Sequence, residues 1–246
     1  MVVSKHFGIF YSCLEGGVFI EIFNWKNCYL QLHCWHVLFK LHPMLTLDHI
    51  AVLGTDLSDA TAHCQTALGL EMGAGGTHAR FATHNRLIGL QDRVYLEAVA
   101  IDPDTPGPKD ARWFGLDDFS GPPRLDKWIC RVPDIKSALK ALPEAGRPVH
   151  VTRGRLSWTM AVPFDGRLPW DGLFPALIEW HVEDLPGDML PKADRYLETL
   201  TIAHPDAPGL AARLEPFLKD PRIRFVSAPT ACLSATLSGG GMKWKL

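Results

Sequence analysis

At 246 residues with 47% hydrophobic side chains, the chain can bury the core of one large domain or of two small modules packed together. Lys and Arg total 25 against 27 for Asp and Glu, a balance without the basic excess of a nucleic-acid binder or the acidic run of a disordered tail. A small, mostly neutral molecule, or an anion held by a few local groups, fits this charge better than a polymer, and neither nucleic acid nor membrane is expected as a partner.

Residues 1–43 differ in kind from the rest. They hold half of the six cysteines, and they are rich in aromatic residues, as in Phe19-Ile20-Glu21-Ile22-Phe23-Asn24-Trp25. Glu15, Glu21 and Lys26 interrupt the apolar run, so neither a signal peptide nor a membrane span of about 18 uncharged residues is expected. His33, Cys34, His36 and His42 lack the paired spacing of a zinc cluster. The simplest expectation is an atypical extension ahead of a start at Met44. The remaining cysteines, Cys64, Cys130 and Cys232, form no Cys-x-x-Cys pair, as expected for reduced thiols in a cytoplasmic protein.

From residue 44 the pattern becomes regular. Leu45–Leu53 is a short apolar run, expected as a buried strand. Thr55 or Asp56 can cap a helix with Leu57, Ala60, Cys64 and Leu68 on one face, which Gly69 stops. After Gly73, Gly75 and Gly76 come two strand candidates, Asn85–Leu90 and Val94–Ile101, and residues 44–104 are expected to form a β-α-β-β-β unit, one strand more than these runs supply. Residues 105–123, rich in Gly and Pro around Trp113 and Phe114, read as a linker that can double as a lid.

The unit then recurs over residues 124–185. Leu125–Val132 repeats the Leu-Asp opening, and Asp134 caps a helix carrying Ile135, Ala138, Leu139 and Leu142. Strands are expected at Val149–Thr152, Leu156–Val162 and Ala176–Val182, with Glu97 and Glu179 at matching late positions. Two such units pair to share a core. Residues 186–246 add a shorter βαββ echo: a strand at Tyr196–Ala203, a helix at Asp206–Leu218, and strands at Ile223–Val226 and Ala231–Leu237. The expected class is α+β, a curled mixed sheet of paired modules around a cavity.

His49 lies on the first strand and Glu97 on the last strand of the first unit, with Glu179 across the internal symmetry. An imidazole with two carboxylates can hold Fe, Mn, Ni, Zn or Mg when water fills the open positions. The Leu-Asp-His-Ile-Ala-Val opening, the helix end Ala-Leu-Gly-Leu-Glu, and the segments Thr-His-Asn-Arg-Leu and Tyr-Leu-Glu-Ala-Val-Ala-Ile-Asp-Pro resemble the glyoxalase-like domain family of the vicinal oxygen chelate superfamily, over roughly residues 46–183. That resemblance implies a divalent metal on His49, Glu97 and Glu179 that polarises a small oxygenated substrate in isomerase, lyase or dioxygenase chemistry. It equally covers a non-catalytic small-molecule binding protein or a scaffold with a vestigial pocket, and it leaves a homodimer open. One departure is plain: Lys127 or Trp128 stands where the second module's first ligand is expected, and neither is an ordinary ligand.

Further candidates surround the strand starts. Glu97 and His84 are the candidate acid and base, and His78, Asn85, Arg86 and Trp128 the candidate substrate contacts. Arg80 is a candidate carboxylate clamp, His181 a substitute ligand, and Trp158 and Trp180 candidate walls of an apolar pocket. No phosphate-binding loop, dinucleotide fingerprint or Gly-x-Ser-x-Gly elbow is present.

Overall fold

The computed structural model describes residues 9–14, 17–22 and 45–246. The chain divides into two units, residues 1–42 and 43–246. In the first, Ile9–Leu14 (β1) and Gly17–Ile22 (β2) pair antiparallel, with Leu14 opposite Gly17. The His33, Cys34, His36 and His42 cluster and the expected start at Met44 lie outside the described residues.

The second unit begins with Thr46–Leu53 (β3), buried at every position but the first, which is why the run is apolar instead of alternating. Leu57–Leu68 (α1) follows, with the Asp56 carboxylate accepting the Ser58 N–H at the N-terminus. Gly69 closes it at φ 63°, a left-handed conformation that suits glycine. Ala60, Cys64 and Leu68 form its buried stripe. A two-residue strand, Thr77–His78 (β4), precedes Thr83–Gly89 (β5) and Tyr95–Ile101 (β6). The second module repeats the plan with Arg124–Arg131 (β7), Ile135–Ala141 (α2), Arg147–Arg153 (β8), Leu156–Val162 (β9) and Ala176–Trp180 (β10).

These strands build one eight-stranded sheet in the order β4-β5-β6-β3-β7-β10-β9-β8. In each module the first strand runs parallel to the last, β3 with β6 and β7 with β10, while β3 and β7 join the halves antiparallel. The sheet curls until its outer strands meet: Arg153 at the end of β8 reaches His78 on β4 at 2.9 Å. Trp128, Ile129, Leu96 and Phe174 are among the fully buried side chains of the core, and burial of each stabilises the fold by about 1.5–3 kcal/mol.

After a short helix, Pro186–Met189 (α3), the C-terminal segment forms its own four-stranded sheet. Its elements are Tyr196–His204 (β11), Ala207–Leu214 (α4), Ile223–Ser227 (β12), Cys232–Gly239 (β13) and Met242–Lys245 (β14). The segment therefore contains one strand more than the expected βαββ. Its order, β12-β11-β13-β14, pairs the first strand in parallel with the strand after the helix, so it does not repeat the module topology. The helix ends earlier than expected, at Leu214, because Leu218 leaves it to bridge Leu45. Among the described residues no helix is long and apolar enough to cross a membrane.

Candidate functional site

Strand alternation carries one row of side chains from each element into the hollow of the sheet: His49 from β3, Tyr95 and Glu97 from β6, Asn85 and Leu87 from β5. His49 lies opposite Tyr95 and Glu97 opposite Ala51, so imidazole and carboxylate are diagonal neighbours on one face. His49 Nε2 stands 3.5 Å from Glu97 Oε2, and both residues are 5% exposed. The imidazole stacks on the Tyr95 ring at 4.3 Å between centroids.

His49 is backed from behind. Its Nδ1 is 2.8 Å from Asp48 Oδ1. Adjacent strand residues ordinarily point apart; here the pairing of β3 with β7 slips between Leu47 and His49, and Asp48 is the extra residue of a bulge. Burial opposes a charge on His49, but the Asp48 hydrogen bond and the Glu97 carboxylate outweigh it and hold its pKa at about 9. Burial likewise opposes a charged Glu97, and His49 overcomes it, holding that carboxyl below its usual range.

Asn85 connects this pair to the cavity mouth. Its Nδ2 donates to Glu97 Oε1 at 2.6 Å, and its Oδ1 accepts from the Gly76 N–H at 2.8 Å. Gly75 makes the close approach feasible, because a Cβ there would lie 1.8 Å from the Asn85 carbonyl oxygen. Arg153 from the second module donates through Nη1 to His78 Nε2 at 2.9 Å and to Asn85 Oδ1 at 3.3 Å. A guanidinium only donates, so His78 carries its proton on Nδ1, 3.1 Å from Thr83 Oγ1. Burial, reinforced by Arg153, pushes the His78 pKa down to about 4, leaving it neutral.

The opposite wall is apolar: Trp158 and Met160 from β9, Ile178 and Trp180 from β10, and Trp113 and Phe114 from the linker. The cavity is partly open to solvent, and its volume is about 30 Å³.

A model of the glyoxalase-like domain matches residues 47–218. The chain belongs to the glyoxalase-like domain family. No curated protein matches it. Among solved structures, a hypothetical protein from Staphylococcus aureus is 13% identical, covers 82% of this chain and 84% of its own, and has a TM-score of 0.52. A methylmalonyl-CoA epimerase from Mycobacterium tuberculosis is 19% identical over 56% of this chain and 88% of its own, with a TM-score of 0.36. One from Streptomyces coelicolor, in complex with 2-nitronate-propionyl-CoA, is 14% identical over 56% and 96%, with a TM-score of 0.38. Identities this low bear on the fold alone.

In this glyoxalase-like domain the expected metal triad is not assembled. Two ligands about 2.1 Å from one ion at a tetrahedral angle lie about 3.4 Å apart, which His49 and Glu97 at 3.5 Å satisfy. Glu179 does not join them. It sits between Ile178 and Trp180, which line the cavity, so it points through the other face of β10, where its Oε2 accepts the Ile135 N–H at 3.0 Å and caps α2. Its neighbour His181 stays with it, 2.8 Å from Thr159 Oγ1. The second module thus presents Ile178, Met160 and two indoles where further ligands would stand. Among the described residues no group of three or more His, Cys, Asp or Glu side chains is placed to hold a metal ion. Two protein donors do not fit a resident divalent metal of the three- or four-ligand kind.

Of the other candidates in the glyoxalase-like domain, His78 and Asn85 line the cavity, while His84 and Arg86, alternating with Asn85, face outward into a surface cleft. His84 stands 3.9 Å from Asp102, and Arg80 pairs with Asp110 at 2.6 Å. Trp128 is core: its Nε1 donates to the Leu173 carbonyl at 2.7 Å, and its edge meets Phe225. Lys127 is buried against Asp126. Two residues at the site, Asp48 and Arg153, escaped the sequence reading, whereas Trp113 and Phe114 belong to the segment read as a linker that can double as a lid. Asp48 stood in the quoted Leu-Asp-His opening, but only the bulge turns it toward His49.

Proposed function

We propose that the chain is an enzyme that moves a proton on a small oxygenated molecule, next to a carbonyl, at the His49–Glu97 pair. The observation that carries this is the buried, charge-matched contact of Glu97 with His49 at the head of a cavity whose far wall is aromatic. Glu97, oriented by Asn85, accepts the proton from the carbon beside the carbonyl. His49, kept protonated by Asp48, donates toward the carbonyl oxygen as negative charge develops on it. Delivery of the proton to a neighbouring carbon gives isomerisation, and loss of a neighbouring leaving group gives elimination. The apolar wall seats the substrate's carbon skeleton and excludes water.

The test is solvent exchange. Pyruvate, acetone and dihydroxyacetone are incubated in deuterated water with the protein, and loss of C–H signal is followed by NMR. Exchange above the buffer rate that falls by about 10²-fold or more in Glu97→Gln supports the reading. Chemical-shift changes on ligand addition without any exchange would favour a binding protein instead.

A further inference from the structure

We infer that the cavity takes its substrate as a carboxylate anion, gripped by the Arg153 guanidinium and the Trp113 indole N–H; this rests on the proposed function and names its substrate class. Arg153 is half-buried, lines the cavity, and has no carboxylate within ion-pair distance among the described residues. Its only acceptors there are neutral, His78 Nε2 and Asn85 Oδ1, and both take the same Nη1. Nε and Nη2 are left to donate, in the fork that matches a carboxylate's two oxygens.

The carboxylates in and behind the cavity already have partners. Asp48 has His49 at 2.8 Å and Arg131 at 3.6 Å, and Glu97 has His49 and Asn85. Trp113 supplies an independent second observation. It is 4% exposed, lines the same cavity, and its buried Nε1–H has no partner. Leaving a buried donor without an acceptor is unfavourable, and a ligand oxygen that reaches it relieves that. Both residues gather around His78, whose ring lies 4.9 Å from the Trp113 ring in an edge-to-face arrangement and accepts from Arg153. Gly76 leaves the room for Arg153 to enter, since a Cβ there would stand 3.1 Å from its Cδ. The cation thus comes from the second module and the proton-transfer pair from the first, so substrate binding spans the two halves.

Propionate and propionamide share size and shape and differ in charge, so they isolate the anion's contribution. Each is titrated against the full chain, with binding read from indole and imidazole NMR shifts at low and high salt. The expected result is propionate binding at least tenfold tighter than propionamide, with the difference shrinking as salt rises. Arg153→Gln removes the preference, Arg153→Lys restores part of it, and Trp113→Phe weakens propionate severalfold. Thermal unfolding checks that each variant is folded. Equal affinity for the two probes, or a preference unchanged in Arg153→Gln, overturns the inference. Absence of exchange in the proton-transfer test, with the propionate preference intact, would refute the catalytic reading and leave the anion site standing.

Discussion

The indole of Trp180, on the last strand of the second module, donates to Asp48 Oδ2 at 3.1 Å, while the other oxygen of that carboxylate holds His49. One half of the molecule therefore sets the orientation of the His49 imidazole in the other. Asp48 is 2% exposed, so each lost donor is felt. Trp180→Phe keeps the aromatic wall and deletes one hydrogen bond to a charged group; urea unfolding should register a loss of about 1.5–3 kcal/mol.

The two buried histidines predict opposite pH limbs. His49 binds its proton more tightly folded, at about 9, than at its ordinary 6.5, so its contribution is complete below pH 6.5 and disappears as pH rises through 9. His78 is the reverse, with a folded value of about 4: its contribution is present above 6.5 and disappears as pH falls toward 4. Glu97, held low, adds to the acid limb in the same sense. Each histidine limb amounts to about 3 kcal/mol at its limit. Unfolding free energies measured from pH 4 to 10 should form a dome; His49→Gln should flatten its alkaline side and also remove the share of the acid limb that Glu97 owes to His49.

Removing the carboxylate beside His49 should release its proton at lower pH. In Glu97→Gln the imidazole titration, followed by NMR, is expected to move down from about 9 by at least one unit. No movement would mean that Asp48 alone holds the charge.

Glu179→Gln separates the position expected from sequence from the one found. Its carboxylate caps the Ile135 N–H, so the variant should lose about 1 kcal/mol of stability while the His49 titration and ligand affinity stay unchanged. An effect on either site measurement equal to that of Glu97→Gln would place Glu179 in the cavity after all.

Trp128 lies in the core, where truncation leaves a cavity. Trp128→Ala should cost about 3–5 kcal/mol in urea unfolding, whereas Trp128→Phe should cost about 1–3 kcal/mol, mainly because the Leu173 carbonyl loses its buried donor.

The repeated Leu-Asp opening, the capped helices and the apolar runs were enough by themselves to determine the paired modules, because hydrophobic period and capping are local properties written in adjacent residues. They also placed His49 and Glu97 on neighbouring strands of one unit. Three matters were decided only by the tertiary structure. Whether Glu179 faced inward depended on the register of β10, where a shift of one residue exchanges the two faces of a strand. Asp48 reached the site through a bulge that no propensity marks. Arg153, which no motif marks, became part of the cavity because the sheet curls until β8 meets β4, and curvature over eight strands is a property of the whole sheet and of no single segment.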